Sequence, residues 1–537
     1  MVLCTYPMHQ IINTINCILL VGIVGLVFYR YHLISSGVSQ NNNYSSKQQE
    51  DNIQKTESSY NPEGMNYDDL ISYHRSHFLK NYQSITFLDY ATNPVLPGSV
   101  LQNFSKNLHE NLFGNPHSES QSSELSTDTI DIIRSQILEL FETNLSEYTV
   151  VFTYSQFHSM KLLTESFPFT QDSTFIYTSN SNNNILGLRS FAEKKNAKIQ
   201  MVDINQIVKP ESKFEKFPDI RKLIKHTNKE EEEKDANIAK NTNSNYVLIK
   251  KLNVTMNLLA IPLVDEFDGT VLTEEQMKHI SVSSAYIGKT AVMVDASLYL
   301  QNHRLSLSST PFHAVAMSFE RIFGFPNIGC LLIHNSLMQL LAKPYFGGGT
   351  LVYALTSASY EKLRLSPQDR FEDGSLPFLS IASIESDFTL FLNDLKSSRI
   401  SSHISSLIEY LFGQLNELRH SNGSPLIKIY TNQDQKQLQR QSIISFNILD
   451  IKADIIPWKQ IVDSASKNDI YLAGGCFSTP GSCIKWLQQD EKEIKTKIQN
   501  SEEDVASFGA IRVSIGWATT KNDIDYLINW LKKEFLK

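Results

Sequence analysis

The sequence predicts an α/β fold with a largely parallel sheet, because short apolar runs alternate with amphipathic segments of helical period. Two such segments are Ser126–Phe141 and Asn522–Leu531, whose apolar residues recur on one stripe. The predicted strands are Thr149–Thr153, Thr174–Tyr177, Ala291–Asp295, Ala314–Phe319, Cys330–His334 and Ile511–Ile515. Strands and helices that alternate in this way are typical of βαβ units. Ligands of such sheets bind beyond the carboxyl ends of the strands, so functional residues are expected there.

Length, charge and cysteine content exclude several classes of protein. A chain of 537 residues is too long for one compact core and predicts more than one domain. The 49 Lys and Arg against 57 Asp and Glu give a net charge of −8, so no overall basic field attracts nucleic acid. The five cysteines are too few for a disulfide scaffold and lack the paired spacing of a zinc site. We therefore predict neither a nucleic-acid partner nor a metal site.

The N-terminal segment predicts a membrane anchor. Residues 10–29 carry no charge, and Cys17–Tyr29 are nearly all apolar, which approaches the ~20 residues that a helix needs to cross a bilayer. A cleaved signal peptide and a buried segment are the alternatives. Arg30 and Lys47 follow the span, so the positive-inside rule places the body in the cytosol. We therefore predict a single-pass protein that residues 1–34 anchor in the membrane.

The rest of the chain divides by composition. Residues 35–66 are rich in Ser, Asn and Gln and predict a flexible tether, since they offer too little apolar surface to offset the entropy of ordering. Residues 67–377 form the predicted large α/β domain. A charged stretch at 222–245 interrupts it and is typical of a solvated surface insertion. Residues 378–537 form a predicted smaller α+β domain.

Three features at strand ends or in loops suit a functional site. Asp295 closes an apolar strand, either as a turn residue or as the carboxylate partner of a protonated cofactor ring nitrogen. In Phe346–Thr350 three glycines precede a hydroxyl, and their N–H groups could form a nest for an anion. Gly475–Cys483 places Cys476 and Cys483 in a loop with glycine and proline, either as mobile reactive thiols or as ordinary free cysteines. Each feature alone is a weak signal.

The order of the motifs is more informative than any one of them. Along the chain they are FLDYA (87–91), GNPHS (114–118), VVFT (150–153), VDAS (294–297), SFERIFGFPNIGCLL (318–332), YFGGGT (345–350), RFEDGS (370–375), ISFNILD (444–450), GGCFSTPGSC (474–483) and IRVSIG (511–516). In this order they resemble the class V aminotransferase fold, a pyridoxal-phosphate fold of type I. More specifically, they resemble the N-terminal, cysteine-desulfurase-like part of eukaryotic molybdenum cofactor sulfurases. The resemblance covers about Thr86–Leu531 and ends about where that family's C-terminal molybdopterin-associated domain begins.

The resemblance implies a reaction and residues for it. Family members use pyridoxal phosphate to take sulfur from L-cysteine, leave alanine and pass a persulfide onward. By position, Asp295 matches the aspartate that holds the pyridine nitrogen. Arg512 matches the arginine that grips the substrate carboxylate. The resemblance also implies a homodimer.

Two loops match further functional segments of the family. Gly348, Gly349 and Thr350 match the phosphate loop, which in relatives comes from the dimer partner. Cys476 and Cys483 match the region of the mobile cysteine that accepts sulfur. The second cysteine of the family's C-F-C motif is replaced here by Ser478.

The lysine that forms the Schiff base in relatives does not match. The family motif S-F-x-K reads Ser318–Arg321, so Arg321 stands at the lysine position. A guanidinium has a pKa above ~12 and gives no neutral amine for an imine. The phosphate turn is replaced by Tyr154–His158, whose bulky side chains are expected to crowd the backbone N–H groups, although Ser155 still offers one donor. The ring-stacking histidine maps onto Asn182.

These departures predict a catalytically degenerate protein of this family, at a membrane surface, in which covalent binding of pyridoxal phosphate is lost. The alternative is an active sulfurtransferase that uses a displaced lysine such as Lys289 or Lys343. L-cysteine and the molybdenum cofactor are partners only in that case. A different reaction in the same fold is a third possibility, which no residue selects.

Overall fold

The structure, a computed structural model, describes residues 64–79, 82–208, 255–282, 290–431, 434, 438, 440–500 and 508–537. Several predictions fall outside this part of the chain: the span 10–29, the tether up to residue 63, the insertion 222–245 and Lys289. None of the described helices has the length and apolar character needed to cross a membrane. The expectation of a single-pass membrane protein is corrected accordingly, since the described part offers no spanning helix.

Helices flank the sheets along the whole described chain. They are α1 Tyr67–Phe78, α2 Gly98–Glu110, α3 Gln121–Leu140, α4 Gln156–Ser166, α5 Asn183–Gly187, α6 Arg189–Glu193, α7 Ile204–Ile207, α8 Glu274–Val282, α9 Phe319–Phe323, α10 Asn335–Met338, α11 Pro367–Phe371, α12 Phe378–Phe388, α13 Ser397–Glu417, α14 Trp458–Ser466, α15 Pro480–Trp486, α16 Glu491–Asn500 and α17 Lys521–Phe535. A π-helical turn, Thr389–Asp394, continues α12. Helices α3 and α17 confirm the two amphipathic helices that the sequence predicts.

The strands follow the apolar runs. They are β1 Thr86–Phe87, β2 Tyr148–Thr153, β3 Thr174–Thr178, β4 Lys198–Val202, β5 Asn257–Pro262, β6 Thr290–Asp295, β7 Ala314–Ser318, β8 Gly329–His334, β9 Leu351–Ala354, β10 Glu361–Leu363, β11 Ile427–Tyr430, β12 Ile443–Ile448, β13 Ile470–Tyr471, β14 Ala473–Gly475 and β15 Ala510–Ser514. Each predicted strand is confirmed to within one residue at either end.

The large sheet has seven strands in the order β2-β8-β7-β6-β5-β3-β4. Neighbours from β7 to β4 are parallel, whereas β8 is antiparallel to both β2 and β7. Every residue of β2, β5, β6 and β7 is buried. A parallel sheet is buried on both of its faces, so its strands are typically continuous apolar runs. The α/β fold with a mixed sheet is thus confirmed.

A second, four-stranded sheet is antiparallel and has the order β11-β12-β15-β14. The N-terminal strand β1 pairs in parallel with β13, and Asp89 forms a bridge with Ser514 of β15. Arg75 of α1 forms an ion pair with Asp523 of α17 at 2.9 Å. Residues 67–89 therefore contact the C-terminal part of the chain, although the sequence-based boundaries place them in the large domain.

Caps and apolar stripes explain the two predicted helices. In α3 the Ser120 hydroxyl accepts a hydrogen bond from the N–H of Ser123, and Ile130, Ile133 and Ile137 are buried. In α17 a capping box of Thr520 and Asp523 fixes the first turn. Each helix therefore begins at a polar cap and packs by its apolar stripe.

Candidate active site

The central feature of the site is an ion pair between Arg321 and Glu266. Arg321 lies on α9, which begins directly after β7, and Glu266 follows β5. The guanidinium donates from Nη2 to Oε2 at 3.0 Å and from Nη1 to Oε1 at 3.3 Å. Nη2 also donates to the carbonyl oxygen of Ala91 at 3.0 Å. This two-point geometry holds the guanidinium in one orientation.

Two side-chain amides connect this ion pair to Asp295. The Nδ2 of Asn182 lies 3.1 Å from Oε1 of Glu266 and 3.2 Å from Oδ2 of Asp295, and donates to both carboxylates. The Nε2 of Gln156 donates to the same Oδ2 of Asp295 at 3.3 Å. Both amide side chains are buried. The structure thus brings the predicted residues Arg321, Asn182 and Asp295 together in one polar cluster.

Burial and charge act in opposite directions on these groups. Burial raises the pKa of Asp295 above its usual value, and the nearby guanidinium of Arg321 only partly opposes the effect. Burial would also raise the pKa of Glu266, but the charges of Arg321 and Arg512 hold it below its usual value. Burial alone would lower the pKa of Arg321, yet Glu266 raises it. The stable charge state is therefore an ionised Glu266 beside a guanidinium that keeps its proton.

Arg512 of β15 also contacts the cluster. Its Nη1 donates to the backbone carbonyl of Glu266 at 3.2 Å. Its Nη2 donates to Asp89 at 3.2 Å and to the hydroxyl of Thr92 at 2.8 Å. The guanidinium carbon lies 4.5 Å above the ring of Phe477, and burial lowers the pKa of Arg512. The predicted carboxylate clamp is thus engaged by groups of the chain itself.

The turn before α4 engages two of its own backbone N–H groups. The hydroxyl of Ser155 accepts from the N–H of His158 at 3.2 Å, and the N–H of Tyr154 donates to Nδ1 of the same histidine at 3.3 Å. The side chains of Tyr154 and Phe157 are 63% and 58% exposed. These two bulky side chains are therefore largely exposed to solvent, while the side chain of His158 engages the backbone N–H of Tyr154.

The glycine loop lies apart from the cluster within one chain. Gly349 adopts φ +87°, and a Cβ there would lie 2.6 Å from Nε2 of His117. The hydroxyl of the fully buried Thr350 donates to the carbonyl of Gly347 at 2.7 Å. The carbonyl of Gly348 accepts the N–H of Gly374 at 2.6 Å. Among the described residues, the hydrogen bonds of this loop thus link it to its own neighbours and not to the Arg321 cluster.

Cys476 and Cys483 are joined by a disulfide bond, with their Cα atoms 5.3 Å apart. The expectation of free or mobile thiols at these positions is corrected, because the turn between β14 and α15 brings the two side chains within bonding reach. Cys330 is the free cysteine of the described part, and it is buried.

Sequence reasoning missed Glu266 and Gln156, which complete the cluster. The segment Asp265–Asp268 sets three carboxylates beyond the end of the apolar strand β5, from which two residues separate it. The rule that singled out Asp295, a carboxylate at a strand end, applies equally to this segment. Gln156 had no such signal, since its role depends on how α4 packs against β6.

Pyridoxal phosphate is the group that the resemblance implies, and the donor set fits it poorly. Arg321 supplies no neutral amine at the lysine position. The Oδ2 of Asp295 already accepts hydrogen bonds from Asn182 and Gln156, and the hydroxyl of Ser155 caps its own helix. The residues present therefore do not match the needs of the cofactor, and we derive no chemical step through it.

Comparisons with known proteins agree with the resemblance. The family model for aminotransferase class-V matches residues 236–527. The molybdenum cofactor sulfurase of Arabidopsis thaliana is 31% identical over 472 residues, which are 84% of this chain and 56% of that protein. The Homo sapiens molybdenum cofactor sulfurase is 30% identical over 466 residues, covering 83% of this chain and 49% of that protein. The chain thus spans about half the length of the curated relatives it matches.

Solved structures agree on the fold. The apo cysteine desulfurase of Thermococcus onnurineus superposes with a TM-score of 0.64 and 16% identity, covering 88% of this chain and 98% of that one. The Escherichia coli cysteine desulfurase CsdA gives a TM-score of 0.62 and 14% identity, with coverage of 88% and 98%. Identities this low support the fold alone. With a family match over more than half of its length, and with the strand order and motifs described above, this chain belongs to the class-V aminotransferase family.

Proposed function

We propose that this chain is a molybdenum cofactor sulfurase-like, cysteine desulfurase-like protein that has lost covalent cofactor chemistry and acts as a binding protein. The observation that carries the proposal is Arg321 at the position of the family's lysine. A nucleophilic lysine must lose its proton to attack a carbonyl, and a guanidinium retains its proton at every physiological pH.

The surroundings of Arg321 support this proposal. Glu266 raises the pKa of the guanidinium and holds it by two hydrogen bonds. Asn182, at the position expected to stack on the cofactor ring, is instead bound between Glu266 and Asp295. Arg321, Asn182 and Asp295 stand at three positions of the family's pocket. Together with Glu266 they are thus linked by hydrogen bonds within one polar cluster.

The alternative is an active sulfurtransferase that uses a displaced lysine, with L-cysteine and the molybdenum cofactor as substrates. It is favoured by the retained Asp295 and Arg512. Of the two candidate lysines, Lys343 lies beside the glycine loop with its Nζ 2.5 Å from Oδ1 of Asp373. Its side chain is 7% exposed. The amine of Lys343 is thus engaged by a carboxylate of the same chain.

Incubation of the purified chain with pyridoxal phosphate is expected to give no covalent adduct. A lysine adduct of this cofactor absorbs at roughly 400–430 nm and is trapped by borohydride. We expect neither signal, and no release of alanine from L-cysteine. A reducible adduct that mass spectrometry maps to any side chain overturns the proposal. An adduct that is lost in Lys343→Ala establishes the alternative.

The variant Arg321→Lys is the matched control for this experiment. It restores a primary amine, but the amide contacts to Asp295 and the self-capped Ser155 turn remain. We therefore expect this single substitution to leave the chain without desulfurase activity. Full activity in this variant counts against the proposed loss of the pocket, since it shows that one side chain alone was missing.

We also propose a homodimer, which is supported by an exposed apolar surface beside the glycine loop. Tyr345, Phe346, Val352 and Tyr353 are exposed by 67%, 40%, 59% and 64%. Large apolar side chains grouped in this way are typical of interfaces. Sedimentation equilibrium is expected to give twice the chain mass, and Tyr353→Glu to weaken association at least tenfold. A control, Tyr526→Glu at a half-exposed site on α17, should have no effect, and a monomer at micromolar concentration contradicts the dimer.

A further inference from the structure

The loop from Cys476 to Cys483 holds an unfavourable backbone conformation. Phe477 and Ser478 adopt φ values of +51° and +57°, and Gly475 before them adopts +116°. Side chains of L-residues clash with the backbone in the left-handed region, so two such residues in succession are rare. Backbone of this kind persists where the surrounding structure holds it in place.

Several contacts hold the loop against the strand ends of the candidate site. The carbonyl of Ser478 accepts the N–H of Asn183 at 2.8 Å, directly after Asn182. Ser482 donates to Oδ2 of Asp265 at 2.5 Å. At Gly481 a Cβ would lie 1.9 Å from the carbonyl oxygen of Ser179, so the loop meets the end of β3 in a close seam. The ring of Phe477 lies under the guanidinium of Arg512, as described above.

The same loop forms one wall of a cleft. The cleft has a volume of about 610 Å³ and is bordered by Ser482 and Trp486 of α15 on one side and by Asp265 and Asp268 on the other. The indole Nε1 of Trp486 donates to Oδ2 of Asp268 at 2.9 Å and so links the two walls. Movement of the loop therefore changes both this cleft and the packing of Phe477 on Arg512, which contacts the Arg321 cluster.

The two sulfurs differ in accessibility. Cys483 is fully buried in an apolar cluster with Phe267, Tyr430 and Ala510, whereas Cys476 is partly exposed at its edge. Thiol–disulfide exchange requires a thiolate to reach a sulfur atom, so attack is directed to Cys476. The disulfide is thus open to reduction from one end.

We propose that the Cys476–Cys483 bond is a redox latch, which a dithiol reductant opens to release the loop from the strand ends. The first thiolate of the reductant bonds to Sγ of Cys476, and the electron pair of the broken S–S bond leaves with Sγ of Cys483, which takes up a proton. The second thiol of the reductant then attacks its own mixed disulfide and frees Cys476 as a thiol. Two electrons pass to the protein, and the reductant becomes a disulfide. The latch does not depend on the proposed loss of cofactor chemistry.

Hydrogen exchange of the full chain tests this latch, with dithiothreitol as the dithiol. After reduction, amides of residues 476–483 and of Asn183 are expected to exchange at least tenfold faster, while those of β2 remain unchanged. Alkylation should label Cys476 before Cys483. The double variant Cys476→Ser, Cys483→Ser should exchange fast with and without dithiol. The proposal is overturned if the oxidised and reduced wild type exchange equally fast, or if a non-reduced digest lacks the disulfide-linked peptide. Both measurements use the wild type, so neither requires a variant to fold.

Discussion

Replacement of Arg321 by methionine is expected to lower the free energy of unfolding by roughly 3–5 kcal/mol, the usual cost of leaving one partner of a buried ion pair alone. Glu266 loses both of its charged hydrogen bonds, and its side chain is only 10% exposed. Burial raises the pKa of this carboxyl, and in the variant Arg512 and Asn182 still oppose that effect but Arg321 no longer does, so the pKa of Glu266 should rise relative to the wild type. Urea unfolding at neutral pH measures the change.

Two further variants separate the ion pair from the packing of the arginine stem. In the double variant Arg321→Met, Glu266→Gln no charge is left unpaired, so its loss should be smaller than the sum of the two single losses. Lys521→Met removes the exposed ion pair with Asp525 on α17 and should change stability very little. A loss for Arg321→Met no larger than that for Lys521→Met contradicts the assigned role of the ion pair.

Asp265 is expected to lower the free energy of unfolding of the wild type as the pH rises. The variant Asp265→Asn is expected to remove this decrease. Burial, together with the charge of Asp268, raises the pKa of Asp265 to about 8. In the unfolded chain an aspartate titrates near ~3.9. Between these values the folded protein keeps a proton that the unfolded chain has lost. The contribution of Asp265 to the free energy of unfolding is complete below about pH 4 and is lost as the pH rises to 8. The free energy of unfolding decreases over this range by at most ~1.4 kcal/mol per pH unit.

The difference in unfolding free energy between Asp265→Asn and wild type isolates this group. It should grow in favour of the variant by a few kcal/mol from about pH 5 to about pH 8, because other titrating groups are common to both proteins and cancel. Asp525→Asn is the control: a hydrogen bond from Lys521 lowers the pKa of Asp525, so that group is ionised in both states over this range. Its difference should stay constant. An equally flat difference for Asp265→Asn shows that this carboxyl titrates normally.

The sequence alone determined six of the strands, two of the helices and one decisive chemical fact. The apolar runs that form β2, β3 and β6 to β8 are buried on both faces, and burial on both faces selects continuous apolar residues wherever the strand lies in the sheet. The motif Ser318–Arg321 likewise shows that no lysine stands at the family position. That fact needs no geometry, because the guanidinium is cationic in any surroundings.

The tertiary structure decided which groups meet. Arg321 and Glu266 are 55 positions apart, and Arg512 and Asp89 are 423 apart. They meet because β5, β6 and β7 are neighbours in the sheet and because β1 joins the C-terminal part. The local pattern of apolar and polar residues indicates whether a residue is buried. It does not indicate which strands become neighbours in the sheet, and so which residues meet at their ends. The partner of Arg321, the disulfide at Cys476 and the shifted pKa of Asp265 all follow from that packing, and so were invisible until the chain was folded.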